Sequence, residues 1–324
     1  MPARILVALC LAVLLAWACA PRLKLFTDSA DPLQEFVLEG KAADKVLLLP
    51  VQGFIWDEPR QGLLRSRPSV VQEVVSQLKL AEKDERIKAV VLRIDSPGGT
   101  STASDLLHHE LSAFKARTGK KLVAAFMGLA ASGGYYAALS ADAIVACPTT
   151  VTGSVGVVFF RPRVVGLMDK VGVEVEVSKS GRNKDMGSPL RTPTDEERAL
   201  MASMIKGLAD RFLSLVKERR RIEGPALETV ATARVFSAEE ALGLGLIDRI
   251  GYLEDAVARA RDLAGLPADA RLVVYRRQAY PNDTTYNTLT EADPARPALI
   301  SLDAGWLLPP RPGFYYVWPA AVGE

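Results

Sequence analysis

The feature that most constrains this chain is a series of short, wholly apolar segments with amphipathic segments between them. Lys45–Val51 reads KVLLLPV, Ile87–Ile94 IKAVVLRI, Lys121–Met127 KLVAAFM and Asp142–Cys147 DAIVAC. Each has the length of a strand and too little polar alternation for a face in water, so each asks to be buried on both sides. Between them, Ser69–Asp84 and Thr102–Ala116 place apolar residues at helical spacing, and Gly133–Ala141 suits a further helix. The expectation is an α/β fold: a largely parallel sheet with helices on both faces. Arg163–Gly172 and VEVEVSK (Val173–Lys179) add one more helix–strand unit. A long amphipathic helix then runs from Thr194 to Arg221, with Thr194 and Glu197 at capping-box spacing; Ser237 and Glu240 repeat the device. Helix Glu254–Leu266 and strand Arg271–Arg277 follow. No internal duplication is visible.

Ligands of open α/β sheets bind beyond the carboxyl ends of the strands. Four glycine- and serine-rich loops leave strands here: DSPGGT (Asp95–Thr100), GLAASGG (Gly128–Gly134), TVTGSVGVV (Thr150–Val158) and SGRNKDMGSPL (Ser180–Leu190). Parallel strands would gather all four on one edge. In SPGG, Pro97 sets the entry dihedral, and Gly98 and Gly99 leave amides bare enough to approach an oxyanion. An ordinary strand-to-helix turn would look the same. The loop is neither a phosphate-binding GxxxxGK[ST] nor a dinucleotide GxGxxG. Ser132 lies between small residues at the start of a helix. It reads either as close packing or as a nucleophile whose neighbouring amide, on Gly133, points the same way, although AASGG is not G-x-S-x-G.

A serine nucleophile needs a base. The chain of 324 residues holds two histidines, His108 and His109, adjacent on one helix, so at most one can face a given site. Both read as helix-surface or boundary residues, and a Ser-His-Asp triad has little support. A lysine is the remaining option. Lys184 stands out because its loop leaves the functional edge, and Ser154 has the chemistry to hold its amine. No metal or other cofactor is expected, because there is no CxxC, no HExxH and too few histidines.

The formal charge of +2 argues against a nucleic-acid partner, and the basic run Lys217–Arg221 reads as a solvated helix end. At the N-terminus, Arg4 precedes an apolar run, Ile5–Ala20, shorter than the roughly 20 residues of a spanning helix. A basic residue, a short apolar core and small residues after it describe an export signal. LLAWAC resembles a lipobox, which would make Cys19 a lipidation site; the rival is an uncleaved signal anchor. Either places the body outside the cytoplasm, held at a membrane. Cys10 falls inside the signal and Cys147 at the end of an apolar strand, where it reads as a buried thiol, so no disulfide framework supports the fold.

Together, VVLRIDSPGGT, AASGGYYAA, TGSVGVV and SGRNKDMGSPLR, in this order and spacing, resemble the signal peptide peptidase A family, serine peptidases of family S49. TDEERALMASMI, ARVFSAEEALGLGLIDRIG and EDAVARA extend the resemblance, which runs from about Lys45 to Leu266. It implies a ClpP/crotonase-like fold and a Ser-Lys dyad. Ser132 would be the nucleophile, Lys184 the general base and Ser154 the residue that orients it. Gly98 or Gly99, with Gly133, would supply the oxyanion donors. It also implies a homo-oligomer, octamer-like, with each site shared between subunits, and remnant signal peptides as substrates. The expected organisation is an export signal over 1–19, a spacer over 20–44, the peptidase domain over 45–266 and a C-terminal extension over 267–324. The extension ends in an aromatic tip, FYYVWPAA, expected either to pack on its own domain or to contact a neighbour, the membrane or a cleft. Two other readings remain at this point: a crotonase-type acyl-CoA enzyme and a non-catalytic membrane scaffold.

Overall fold

The computed structural model describes residues 31–61, 66–287 and 312–321. The export signal over 1–19 and its Cys19 lie outside the described residues, as does the first part of the spacer. Among the described residues, no helix is long and apolar enough to cross a membrane.

In chain order the elements that build the site are β1 (Gln34–Glu39), β2 (Lys45–Gln52), α1 (Val70–Lys83), β3 (Ile87–Ser96), β4 (Gly98–Thr100), α2 (Ser101–Thr118), β5 (Lys121–Ala131), α3 (Gly133–Ala138), β6 (Ala143–Ala146), β7 (Val151–Gly153), β8 (Val158–Phe160) and α4 (Val165–Val171). There follow α5 (Asp195–Arg220), α6 (Gly224–Ala231), β9 (Val235–Ser237), α7 (Ala238–Gly243), β10 (Arg249–Ile250), α8 (Leu253–Leu263), β11 (Arg271–Arg276) and β12 (Gly313–Val317). The main sheet has the order β1-β11-β2-β3-β5-β6-β10. All its neighbours are parallel except the β1–β11 pair at one edge. β5 is long enough to change partners: Val123–Phe126 pair with β6, and Leu129–Ala131 pair with β7, whose other side takes β9 antiparallel.

Both faces of the sheet are buried, as the unbroken apolar runs require. Leu47, Leu49, Val90, Leu92 and Ile94 face a core shared with α1, α2, α3 and α5. Their alternates Val46, Leu48, Ala89 and Val91 face Leu253, Ala256, Val257 and Ala260 of α8. Four of the helices start where a side chain satisfies a first-turn amide. Ser69 caps α1, Thr100 caps α2, and complete capping boxes open α5 (Thr194, Glu197) and α7 (Ser237, Glu240).

Three expectations need correction. The spacer over 20–44 contains β1, which pairs with β11 from Gln34↔Arg276 onward, so strands of the sheet lie on both sides of the expected 45–266 boundary. Phe36 and Leu38 pack inward while Val37 is half exposed; the segment is an edge strand, and its polar outer face gave it the look of a linker. VEVEVSK (Val173–Lys179) is not a strand: it has no ladder partner among the described residues, and every residue from Asp169 to Arg182 is exposed. Finally, the extension over 267–324 contributes β11 to the main sheet and β12 to a second, three-stranded sheet, β8-β12-β4. The aromatic tip thus packs on its own chain.

Candidate active site

The carboxyl ends of β3, β5 and β7 meet at one point. Ser96 pairs with Ala130, and Ala131 pairs with Gly153, so the residues just beyond each strand end become neighbours. Ser132 N–H donates to the Gly153 carbonyl at 2.8 Å, which puts Ser132 and Ser154 side by side. Both serines have positive φ, 51° and 52°. An L-residue adopts that conformation only where the surroundings impose it, and such residues gather at functional sites. Ser132 is fully buried, and its Oγ has no hydrogen-bond partner among the described residues. Ser154 is buried too, with its amide on the Arg234 carbonyl at 2.9 Å.

The SPGG loop packs directly against this turn. A Cβ on Gly98 would stand 2.7 Å from the Gly133 amide nitrogen, so only glycine lets the two backbones meet. Gly99 is as confined: a Cβ there would lie 2.0 Å from the Ile55 carbonyl oxygen. Ser96 Oγ anchors the loop, donating to the Gly53 carbonyl at 2.6 Å and accepting from Gly98 N–H at 3.1 Å. The Gly98 amide is therefore engaged, while that of Gly133 is the first in α3, where no intrahelical acceptor exists. Three of the four predicted segments thus converge: SPGG, AASGG and TGSVG.

Lys184 is not brought in. It is exposed, on the loop after the unpaired Val173–Lys179 segment, and it makes no hydrogen bond to Ser132 Oγ. The loop itself is well held. Asp185 accepts from Lys179 Nζ at 2.7 Å and from Arg191 Nε at 2.6 Å, and Arg191 also bonds Glu197 of the α5 capping box. Hydrogen bonds from Arg191, and from Lys179, hold the Asp185 carboxyl well below its ordinary range; Arg191 does the same to Glu197, drawing it down to about 2.

Sequence reasoning missed the aromatic wall beside the nucleophile. Tyr136, on α3 four residues after Ser132, is buried against Phe212 of α5 with ring centroids 4.8 Å apart. Its hydroxyl donates to Asp105 Oδ1 at 2.7 Å, and Arg211 Nη2 donates to the same oxygen at 2.7 Å. The doubled tyrosine in AASGGYY was the available signal. His109 is exposed, as expected, whereas His108 sits edge-on to Tyr136 at 5.4 Å. Cys147 is only half-buried, and that burial pushes its thiol up.

His108 sets a pH limit on stability. Burial, then Arg219 and Arg211, push its imidazole from the usual 6.5 down to about 4, against the opposing pull of Asp105. Between those values the unfolded chain binds the extra proton, so stability falls as pH drops from about 6.5 towards 4. The expected loss is on the order of 3 kcal/mol. Urea unfolding across that range checks it, and His108→Phe should remove this component of the slope.

The α/β fold is ClpP-like, with residues 65–151 matching Clp protease, and the family match and relatives make this a serine peptidase. Residues 114–267 match peptidase family S49. The chain is 34% identical over 262 residues to an Enterococcus faecium protein assigned as a signal peptide peptidase SppA, covering 81% of this chain and 74% of that protein. It therefore belongs to peptidase family S49. It is also 36% identical over 191 residues to Protease 4 of Salmonella typhi (59% of this chain, 31% of that one). It is 33% identical over 206 residues to the chloroplastic serine protease SPPA of Arabidopsis thaliana (63% and 30%).

Proposed function

We propose that this peptidase cuts short apolar peptides, remnant signal peptides among them, through an acyl-enzyme formed on Ser132. The observation that carries the reading is the strained, buried Ser132, whose Oγ has no partner among the described residues and whose neighbouring amide, Gly133, abuts Gly98. Ser132 Oγ attacks the scissile carbonyl carbon, and Lys184 takes the hydroxyl proton and passes it to the leaving amine. Water then hydrolyses the ester and restores the serine. The Gly133 amide, with one from the SPGG loop, stabilises the oxyanion. Ser154, beside Ser132, orients the lysine.

Lys184 reaches a serine when two copies of the chain come together. In support, the arm that carries it leaves Leu167, Val171, Val173, Val175, Val177 and Leu190 exposed, an apolar and unpaired stretch of the kind that another chain covers. A homo-oligomer with shared sites follows, octamer-like in the family pattern. The N-terminal segment, through Cys19 or as an anchor, holds the assembly at a membrane of the cell envelope. The test is to mix Ser132→Ala with Lys184→Ala, each inactive alone. A shared site predicts recovery of up to about a quarter of parental turnover, the fraction of interfaces that unite both intact residues in a random mixture. No recovery, with assembly shown by sedimentation, would refute sharing.

A further inference from the structure

We propose that the pocket walled by Tyr136 and Phe212 selects a tyrosine from an extended peptide, and that Tyr316 of the chain's own C-terminal strand is its resident occupant. The proposal rests on the peptidase reading above.

β12 is the middle strand of its sheet, antiparallel to β4 on one side (Tyr316↔Gly99, Val317↔Gly98) and to β8 on the other (Val158↔Tyr315, Phe159↔Phe314). Trp318 N–H continues the pairing to the Pro97 carbonyl at 2.9 Å. A strand held on both edges by main chain accepts many sequences; selection falls to alternate side chains. Tyr315 turns one way, towards Phe54 and Phe160. Tyr316 turns the other way, towards the nucleophile's helix. Its ring stacks on Tyr136 at 5.1 Å and 19°, meets Phe212 at 5.0 Å, and is 1% exposed.

The polar end of the pocket gives the preference. The Tyr316 hydroxyl donates to the Leu208 carbonyl of α5 at 2.9 Å. Phenylalanine would fill the same space and leave that acceptor without this donor. The wall is set independently of its occupant, because Tyr136 is fixed through Asp105 and Arg211. The pocket is also in register with the chemistry. The Tyr316 carbonyl oxygen lies 2.0 Å from where a Cβ on Gly98 would stand and 3.0 Å from one on Gly133. The main chain of the tail thus occupies the ground on which a substrate strand must lie, and the two exclude each other. The competitor belongs to the same chain, so dilution does not remove it.

Binding is measured by fluorescence anisotropy on the full chain carrying Ser132→Ala, with and without Tyr316→Ala. The probes are labelled GFYYVWPAA and versions with Phe or Ala at the position of Tyr316. The Tyr316→Ala chain is expected to bind the parent peptide at least ~10-fold more tightly than the chain that keeps its tyrosine. The Phe peptide should bind about 10-fold more weakly than the parent peptide, and the Ala peptide about 100-fold. A second readout is hydrogen exchange of Gly313–Val317 in the chain that keeps Tyr316: excess parent peptide should speed it and the Ala peptide should not. Equal affinities for the three peptides, or unchanged exchange, would overturn the proposal. Turnover by the Ser132-bearing chain separates the two readings. Ranked binding without hydrolysis defeats the dyad and leaves the pocket standing; hydrolysis indifferent to tyrosine does the reverse.

Discussion

Ser132→Ala is expected to lower kcat/KM on an apolar peptide by at least ~10³-fold, since losing the nucleophile leaves only binding and oxyanion stabilisation. Stability should move the other way. Among the described residues the buried Ser132 hydroxyl has no hydrogen-bond partner, an arrangement that costs about 1–3 kcal/mol and that alanine removes. A Tm equal to or above the parent's, with turnover abolished, is the combination that a packing serine would not give. Retention of more than a tenth of parental turnover in the purified variant would defeat the assignment. The strain at φ 51° stays in the alanine variant, so the comparison isolates the hydroxyl.

Gly98→Ala should have the second largest effect. The new Cβ would be 2.0 Å from the Tyr316 carbonyl oxygen and 2.7 Å from the Gly133 amide nitrogen, at a φ of 101° that side chains rarely adopt. The Tyr316 clash is relieved if β12 leaves, but the Gly133 clash is relieved only by moving the nucleophile turn. The expected result is a fall in turnover of about 10²–10³-fold, the scale of a displaced oxyanion donor. Stability should drop by about 3 kcal/mol, from backbone strain plus the loss of β12. Steady-state kinetics and urea unfolding check both. Unchanged kinetics would mean that the SPGG backbone takes no part in the reaction.

Much of this architecture was legible because it rests on local rules. The apolar runs at Lys45, Ile87 and Lys121 became parallel strands buried on both faces, and both capping boxes formed as their spacing implied. What failed was non-local. β1 has the polar outer face of a linker, and its partner, β11, comes more than 200 residues later in the chain. VEVEVSK has strand alternation and β-branched residues, but alternation records a preference for pairing, and no edge among the described residues pairs with it. The site divides the same way. Ser132, Ser154, Gly98 and Gly133 were placed together by strand ends in a parallel sheet. The position of Lys184 depends on an arm that the fold does not pack. The Tyr136–Phe212 wall was illegible because its halves come from helices whose approach only the folded chain fixes.

The antiparallel edge strand has a consequence for how the molecule meets its surroundings. β2, β3 and β5 all point their carboxyl ends at the catalytic edge, and β11 runs with them. β1 runs against them, so its first residue, Gln34, stands beside Arg276 at that same edge. The polypeptide therefore enters its sheet from the catalytic side. Under the attachment proposed above, a tether upstream of Gln34 would leave on the groove's side of the molecule rather than from its back, and its length would bound how far the groove can stand from the membrane.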